Sequence, residues 1–159
     1  MLFRSLTKDQ VVKIYSGKIK DWKDLGGNSG TINLYGREDG SGTRETFTDK
    51  LFGKGELSPS VNVVNSNGAM KTAIAQDKRA IGYVGIGHLD NSIAGVAIDG
   101  HVPSQENAAS GEYPVVRNLF MNTKGEPTGL TAAFIDYIFS EPGAKIIEKS
   151  GYIPLPKSK

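Results

Sequence analysis

The spacing of apolar residues switches repeatedly between a strand period and a helix period over the first hundred residues. Alternation with a period of two predicts a strand over 31–35, and a helical spacing predicts a helix over 44–52. Thr7 and Gln10 fit a capping box, which predicts a helix that begins there and ends near Gly17. The other predicted elements are a helix over 69–76 and strands over 61–64, 80–86 and 96–98. Strands that alternate with helices predict an α/β fold, with a mixed sheet flanked by helices.

The pattern changes beyond residue 114. Residues 115–121 form an extended apolar run, and two helices are predicted after it, one following Pro127 and one beginning near Ser140. Just before the change, the polar residues 104–111 predict a surface loop, and at the other end residues 155–159 are expected to fray. We therefore predict two parts, an α/β domain over 1–115 and a C-terminal segment over 116–159.

Composition excludes several classes of protein. Nineteen basic and seventeen acidic residues give a net charge of +2 without a basic stripe, which argues against a nucleic-acid-binding protein. The chain has no cysteine and only two histidines, so neither a disulfide, a cysteine nucleophile nor a transition-metal site is expected. We also expect no membrane-spanning helix and no signal peptide in these 159 residues.

The most informative chemistry lies between the strand over 31–35 and the helix over 44–52. A helix N-terminus presents free backbone N–H groups and the positive end of the helix dipole, and both favour an anion. Gly40 and Gly42 would let the backbone approach a ligand closely, and Ser41 and Thr43 would add hydroxyl groups. Arg37 would supply a charged fork suited to a tetrahedral oxyanion. This stretch is therefore a candidate anion-binding loop.

Other interpretations of the same residues stay open. The loop could be a capped helix after a glycine turn, with Arg37 in solvent; if it binds an anion, we expect Asp39 to hold Arg37 in place and Arg44 to face away. At residues 66–68, Ser-Asn-Gly, capping of the next helix is the default, with a further anion donor as the alternative. The sequence lacks the Gly-Lys-Ser/Thr of a P-loop and the Gly-x-Ser-x-Gly of a serine hydrolase, and no nucleophile–base pair supports a phosphatase.

Residues 36–44, with the sequence GREDGSGTR, and Phe47 after them resemble a known loop. They are similar to the anion loop of the phosphate-binding receptors of ABC phosphate importers, which are PstS-like proteins with the class II periplasmic-binding-protein fold. Further segments match that family in order along the chain, namely residues 6–27, 80–85, 113–115, 123–127 and 151–155.

The resemblance implies a receptor rather than an enzyme, in which phosphate lies between two α/β domains and is held without a metal or cofactor. The implied ligand contacts are Arg37, Ser41, Gly42 and Thr43, with Asp39 and Gly40 in support. The chain matches the family's second domain and C-terminal return segment, and its 159 residues contain no counterpart of the first domain. The implied location is extracytoplasmic, and the implied partners are inorganic phosphate and an ABC transporter permease.

The C-terminal segment carries a further implication. In the family its helices pack on the first domain, so we expect its apolar side chains to bind either that domain or a second copy of the chain. These side chains are Leu119, Phe120, Leu130, Phe134, Ile138, Ile146 and Ile147. The alternative is that the C-terminal helices fold back onto this chain's own sheet. Two alternatives to phosphate binding stay open: a receptor for sulfate, molybdate or tungstate, and an interaction or sensory module that does not bind an anion.

Overall fold

The structure is a computed structural model that describes residues 5–53 and 55–155. Most of the C-terminal stretch expected to fray, residues 156–159, lies outside the described residues. The chain divides into two compact units, Met1–Val116 and Arg117–Lys159. The strands are β1 (Ser5–Leu6), β2 (Asn33–Arg37), β3 (Asn62–Val64), β4 (Ala80–Ile81) and β5 (Ala97–Ile98). The helices are α1 (Lys8–Tyr15), α2 (Gly42–Leu51), α3 (Asn67–Gln76), α4 (Gln105–Ser110), α5 (Gly129–Ile138) and α6 (Glu141–Lys149).

Strand β2 lies at the centre of a three-stranded sheet in the first unit, between β3 and β4. Both pairings are parallel, with Arg37 opposite Val64 in β3 and Leu34 opposite Ile81 in β4. Parallel strands need crossover connections, which α2 supplies between β2 and β3, and α3 between β3 and β4. The carboxyl ends of β2 and β3 therefore lead to the N-termini of α2 and α3 at one edge of the sheet.

The remaining strands complete a fold of the predicted α/β class. Strands β1 and β5 form a separate two-stranded parallel sheet. The ladders between described strands are parallel, and antiparallel pairing is limited to the bridges Asp21–Thr31 and Ile98–His101.

One hydrophobic core holds the first unit together. Thr7 and Gln10 form the predicted capping box, so α1 begins directly after β1 and turns its apolar face inward. Tyr15 packs edge-on against Phe47 of α2, with ring centroids 4.8 Å apart, and its hydroxyl donates to the backbone oxygen of Tyr35 at 3.0 Å. The buried core residues are Leu6, Val11, Ile14, Tyr15, Ile32, Leu34, Phe47, Leu51 and Ile81.

Two predictions in the first unit are wrong. Residues 105–110 form the short helix α4 rather than a surface loop, because the Ser104 side chain accepts from the Asn107 amide and Gly111 takes the left-handed C-cap conformation. The strand predicted over 80–86 ends at Ile81. The chain crosses α3 tightly at Gly82, where a Cβ would lie 2.5 Å from the Met70 sulfur, and residues 86–88 form a 3₁₀ turn.

The second unit contains the two predicted helices but almost no fully buried residues. Ser140 caps α6 by accepting from the Gly143 amide, and Gly151 has a positive φ beyond the helix end, as predicted. Only Gly143 is buried among the described residues of this unit, 117–155. No helix in the described part of either unit is long and apolar enough to cross a membrane.

Candidate functional site

The turn from β2 into α2 presents backbone N–H groups without helical acceptors. Gly40 has a φ of +82°, a conformation that side-chain-bearing residues rarely adopt, and so reverses the chain directly after the strand. Ser41 caps α2, its side chain accepting from the Arg44 amide at 3.3 Å. The amide of Glu45 donates to the Ser41 backbone oxygen at 2.9 Å and closes the first turn. The amides of Gly42 and Thr43 precede that bond and therefore have no acceptor within the helix.

Arg37 is the last residue of β2, and its side chain is only 10% exposed. It forms a bidentate ion pair with Glu38, in which Nε donates to Oε2 and Nη2 donates to Oε1, each at 2.9 Å. The hydrogen bonds from Arg37 lower the pKa of the Glu38 carboxyl, and the same bonds raise the pKa of the guanidinium. Both groups are therefore charged at neutral pH.

Asp39 does not pair with Arg37, so that prediction is wrong. Its carboxylate instead accepts from Arg44 Nη1 at 2.8 Å, and the same nitrogen donates to the Arg37 backbone oxygen at 3.0 Å. Residues two apart share a face only while a strand continues, and here the strand ends at Arg37. Arg44 was expected to face away. Its side chain instead contacts both Asp39 and the Arg37 backbone oxygen, and so connects the first turn of α2 to the end of β2.

The N-terminus of α3 lies against the same arginine. Ser66 caps α3 by accepting from the Ala69 amide at 3.0 Å, as predicted. Asn67, the first residue of that helix, accepts from Arg37 Nη1 at 3.2 Å through Oδ1. The sequence analysis missed this contact. The signal that could have found it is the parallel register, which sets Arg37 opposite Val64, three residues before Asn67.

Tyr83 connects the start of the loop to the hydrophobic core. Its hydroxyl oxygen accepts from the Arg37 amide at 2.9 Å. Its ring stacks on Phe47 with centroids 4.1 Å apart and planes at 12°, which ties the hydroxyl to the core. Burial raises the pKa of Tyr83. The residue is therefore a support of Arg37, in agreement with the expectation that it belongs to the core.

A depression beside the loop is not the best place for an anion. It has a volume of about 330 Å³, and its lining comprises Asp39, Gly40, Ser41, Arg44, Glu45 and Thr48. Two of these residues are carboxylates, which repel an anion, and Arg37, Gly42 and Thr43 are not among them. The described residues contain no group of three or more histidines and carboxylates placed to hold a metal ion.

The fold and the loop define the class of protein. Residues 2–142 match the family model of a PBP superfamily domain. The chain belongs to the PBP (periplasmic-binding-protein) superfamily, which confirms the fold expected from the sequence.

Individual relatives narrow the comparison. The chain is 40% identical over 158 residues to the phosphate-binding protein PstS of Bacillus subtilis, across 98% of this chain and 52% of that protein. It is 41% identical over 143 residues to phosphate-binding protein PstS 2 of Streptococcus agalactiae, across 83% of this chain and 48% of that protein. The resemblance stated from the sequence is thus confirmed, and the chain spans about half the length of these relatives.

Solved structures agree with the relatives. A protein from Clostridium perfringens, assigned as a phosphate ABC transporter substrate-binding protein and solved with bound phosphate, superposes with a TM-score of 0.90 at 36% identity. The match covers 96% of this chain and 64% of that one. An ABC-type phosphate transport receptor from Vibrio cholerae gives a TM-score of 0.80 at 33% identity, with the same coverage.

Proposed function

We propose that the chain binds inorganic phosphate as part of the solute receptor of an ABC-type phosphate importer. The observation that carries the proposal is that one short turn joins Arg37, a largely buried arginine at the end of β2, to the capped N-terminus of α2. Arg37 supplies charge, and the Gly42 and Thr43 amides supply donors without acceptors of their own. Ser41 Oγ accepts from an amide, so its O–H proton is free to donate to a ligand.

The proposed chemistry is binding without reaction. The donors around the loop are backbone amides, hydroxyl groups and a guanidinium, which hold a tetrahedral oxyanion but do not activate a nucleophile. The similarity to proteins named for phosphate binding favours phosphate over sulfate, molybdate or tungstate. As part of an importer, the receptor would act outside the cytoplasmic membrane and deliver phosphate to a permease.

Replacement of Arg37 by alanine tests the site. A hydrogen bond to a charged group contributes about 1.5–3 kcal/mol, so Arg37→Ala should weaken phosphate binding about tenfold to hundredfold in titration calorimetry. Arg117→Ala removes an exposed arginine of the second unit and serves as the matched control. Equal affinity of Arg37→Ala and the unchanged chain would exclude the loop as the site. Tighter binding of sulfate than of phosphate would favour the alternative receptor.

The second unit is proposed to bind a further domain through its apolar side chains. Leu130 is 87% exposed, Phe120 80%, Leu119 63% and Phe134 60%. Apolar surface of this extent typically marks a protein interface. Because the chain spans about half the length of its relatives, we propose that the occupant is the domain corresponding to their other half. Alone, the chain should pair with a second copy through the same side chains.

Sedimentation equilibrium at micromolar concentration tests this surface. We expect masses above 17.0 kDa for the unchanged chain, and a single 17.0 kDa species after Phe120→Ser, Leu130→Ser and Phe134→Ser are combined. Val63→Ser and Val102→Ser, which change exposed apolar residues of the first unit, form the matched control. A clean monomer of the unchanged chain, with α5 and α6 intact by circular dichroism, would contradict the proposal.

A further inference from the structure

Arg37 is held by a carboxylate that the sequence analysis did not select. We propose that Glu38 is a positioning residue for anion binding, which fixes the Arg37 guanidinium so that one edge of it faces the ligand. The inference rests on the proposed function, because it concerns the same site. It assigns to Glu38 the part that the sequence had suggested for Asp39.

The hydrogen bonds of Arg37 show which donors are left for a ligand. A guanidinium has five N–H donors. Glu38 takes one from Nε and one from Nη2, and Asn67 takes one from Nη1. One N–H therefore remains on each of Nη1 and Nη2. These two donors lie on the two terminal nitrogens, which together can bind oxygens of a tetrahedral oxyanion.

Glu38 is suited to this task by its connectivity and its charge. It follows Arg37 directly and accepts along the Nε–Nη2 edge at two equal distances of 2.9 Å, which fixes the plane of the guanidinium. The Asn67 contact is a single bond of 3.2 Å to a neutral amide oxygen and cannot fix a plane alone. Asp39, with its side chain 95% exposed, is engaged by Arg44.

Glu38 affects the affinity for an anion in two opposite ways. Its negative charge repels the ligand, but the charge is paired within 2.9 Å and the side chain is 38% exposed, so solvent and Arg37 both screen it. Its two hydrogen bonds already restrict the rotation of the Arg37 side chain before the ligand binds. Less conformational entropy is therefore lost on binding. We therefore expect the positioning effect to exceed the repulsion.

Glu38→Gln in the full 159-residue chain tests the inference, with inorganic phosphate as the probe. Glutamine keeps the size of the side chain but has no charge and an NH₂ donor in place of one acceptor oxygen, so it cannot form the bidentate ion pair with Nε and Nη2. We expect phosphate to bind about fivefold more weakly, a loss smaller than that of Arg37→Ala. In the Arg37→Ala background, Glu38→Gln should cause no further weakening, because Glu38 acts through Arg37. Glu106→Gln, an exposed glutamate of α4, is the matched control.

A spectroscopic readout separates positioning from folding. The Arg37 Nε–H resonance should be protected from solvent exchange in the ligand-free chain and should lose that protection in Glu38→Gln, while urea unfolding stays unchanged. Unchanged or tighter phosphate binding by Glu38→Gln, when Arg37→Ala still weakens binding, would overturn the inference and leave the proposed function standing. If phosphate does not bind the unchanged chain, or binds Arg37→Ala equally well, the proposed function itself fails.

Discussion

Helices α1 and α5 both carry large apolar side chains at helical spacing, but these side chains lie in different environments. In α1 the apolar side chains Val11, Ile14 and Tyr15 are buried in the core of the first unit. In α5 the apolar side chains Leu130 and Phe134 are 87% and 60% exposed. The pattern predicts both helices correctly because it depends only on spacing. It does not say whether the rest of the chain supplies the surface that covers them.

The difference arises from the number of layers in each unit. In the first unit, α1 and α2 share one core with residues of β2 and β4. The described part of the second unit consists of two helices without a strand. A stable core needs at least two layers whose apolar faces are turned toward each other. In a pair of helices, apolar residues outside the contact between the two helices remain exposed. Helical periodicity therefore predicts that a helix has an apolar face, but not whether this chain or another protein covers that face.

The largest expected contrast between the units comes from truncating one apolar side chain in each. Ile14 is fully buried, so Ile14→Ala should lower the free energy of unfolding by about 2–5 kcal/mol. Leu130→Ala should change it by less than about 0.5 kcal/mol, because that side chain is already in water. Urea unfolding of both variants, followed by circular dichroism at a concentration where the chain is monomeric, measures the difference. Equal losses would mean that α5 is covered in solution.

A smaller contrast is expected at the helix caps. Ser41 accepts from the Arg44 amide, whereas Thr128 at the start of α5 forms no side-chain capping bond. Ser41→Ala should therefore cost about 1 kcal/mol of stability, and Thr128→Ala close to nothing. The same urea experiment measures both. A cost for Thr128→Ala as large as that for Ser41→Ala would show that α5 is capped in solution.

An effect no larger than that of the Ser41 cap is expected at neutral pH from a single hydroxyl group. Tyr15→Phe removes the hydrogen bond to the Tyr35 backbone and should cost about 1 kcal/mol. Burial raises the pKa of Tyr15 well above its usual value, so above about pH 10 the unfolded chain loses a proton that the folded chain keeps. The stability from this group is complete below that pH and falls as the pH rises.

Alkaline unfolding checks the sign of this effect. Tyr15→Phe should lose less stability between pH 9 and 11 than the unchanged chain does, in urea titrations at each pH. Tyr152→Phe, which changes an exposed tyrosine of the second unit, controls for the removal of a phenol as such. Parallel pH profiles for Tyr15→Phe and the unchanged chain would mean that Tyr15 is not the group responsible.

The elements that the sequence predicted well are those with local signals. The capping box at Thr7, the cap at Ser140 and the glycine after α6 lie within a few residues of what they control, and all three are present. The glycine turn at Gly40 and the capped start of α2 were predicted for the same reason. By contrast, α4 is capped by Ser104 and Gly111 but has no apolar stripe, so the hydrophobic pattern did not reveal it.

The predictions that failed depend on distant contacts. Gly82 ends a strand because Met70 and Ile74 of α3 lie against it, and nothing in residues 80–86 indicates that contact. At the site, the sequence identified Arg37 but paired it with the wrong carboxylate, since two acidic residues follow it and only the folded turn decides between them. The Asn67 contact depends on how two parallel strands are aligned, which spacing along one chain cannot give.

Under the proposed function, the bonds that hold Arg37 have a consequence for the rate of ligand capture. Its amide donates to Tyr83, its carbonyl accepts from Arg44, and its side chain is tied to Glu38 and Asn67. Since these bonds form during folding, little reorganisation is left for the encounter with a ligand. Association should then be governed by diffusion and by the charge on the approaching anion, and residence time should carry most of the difference between one anion and another.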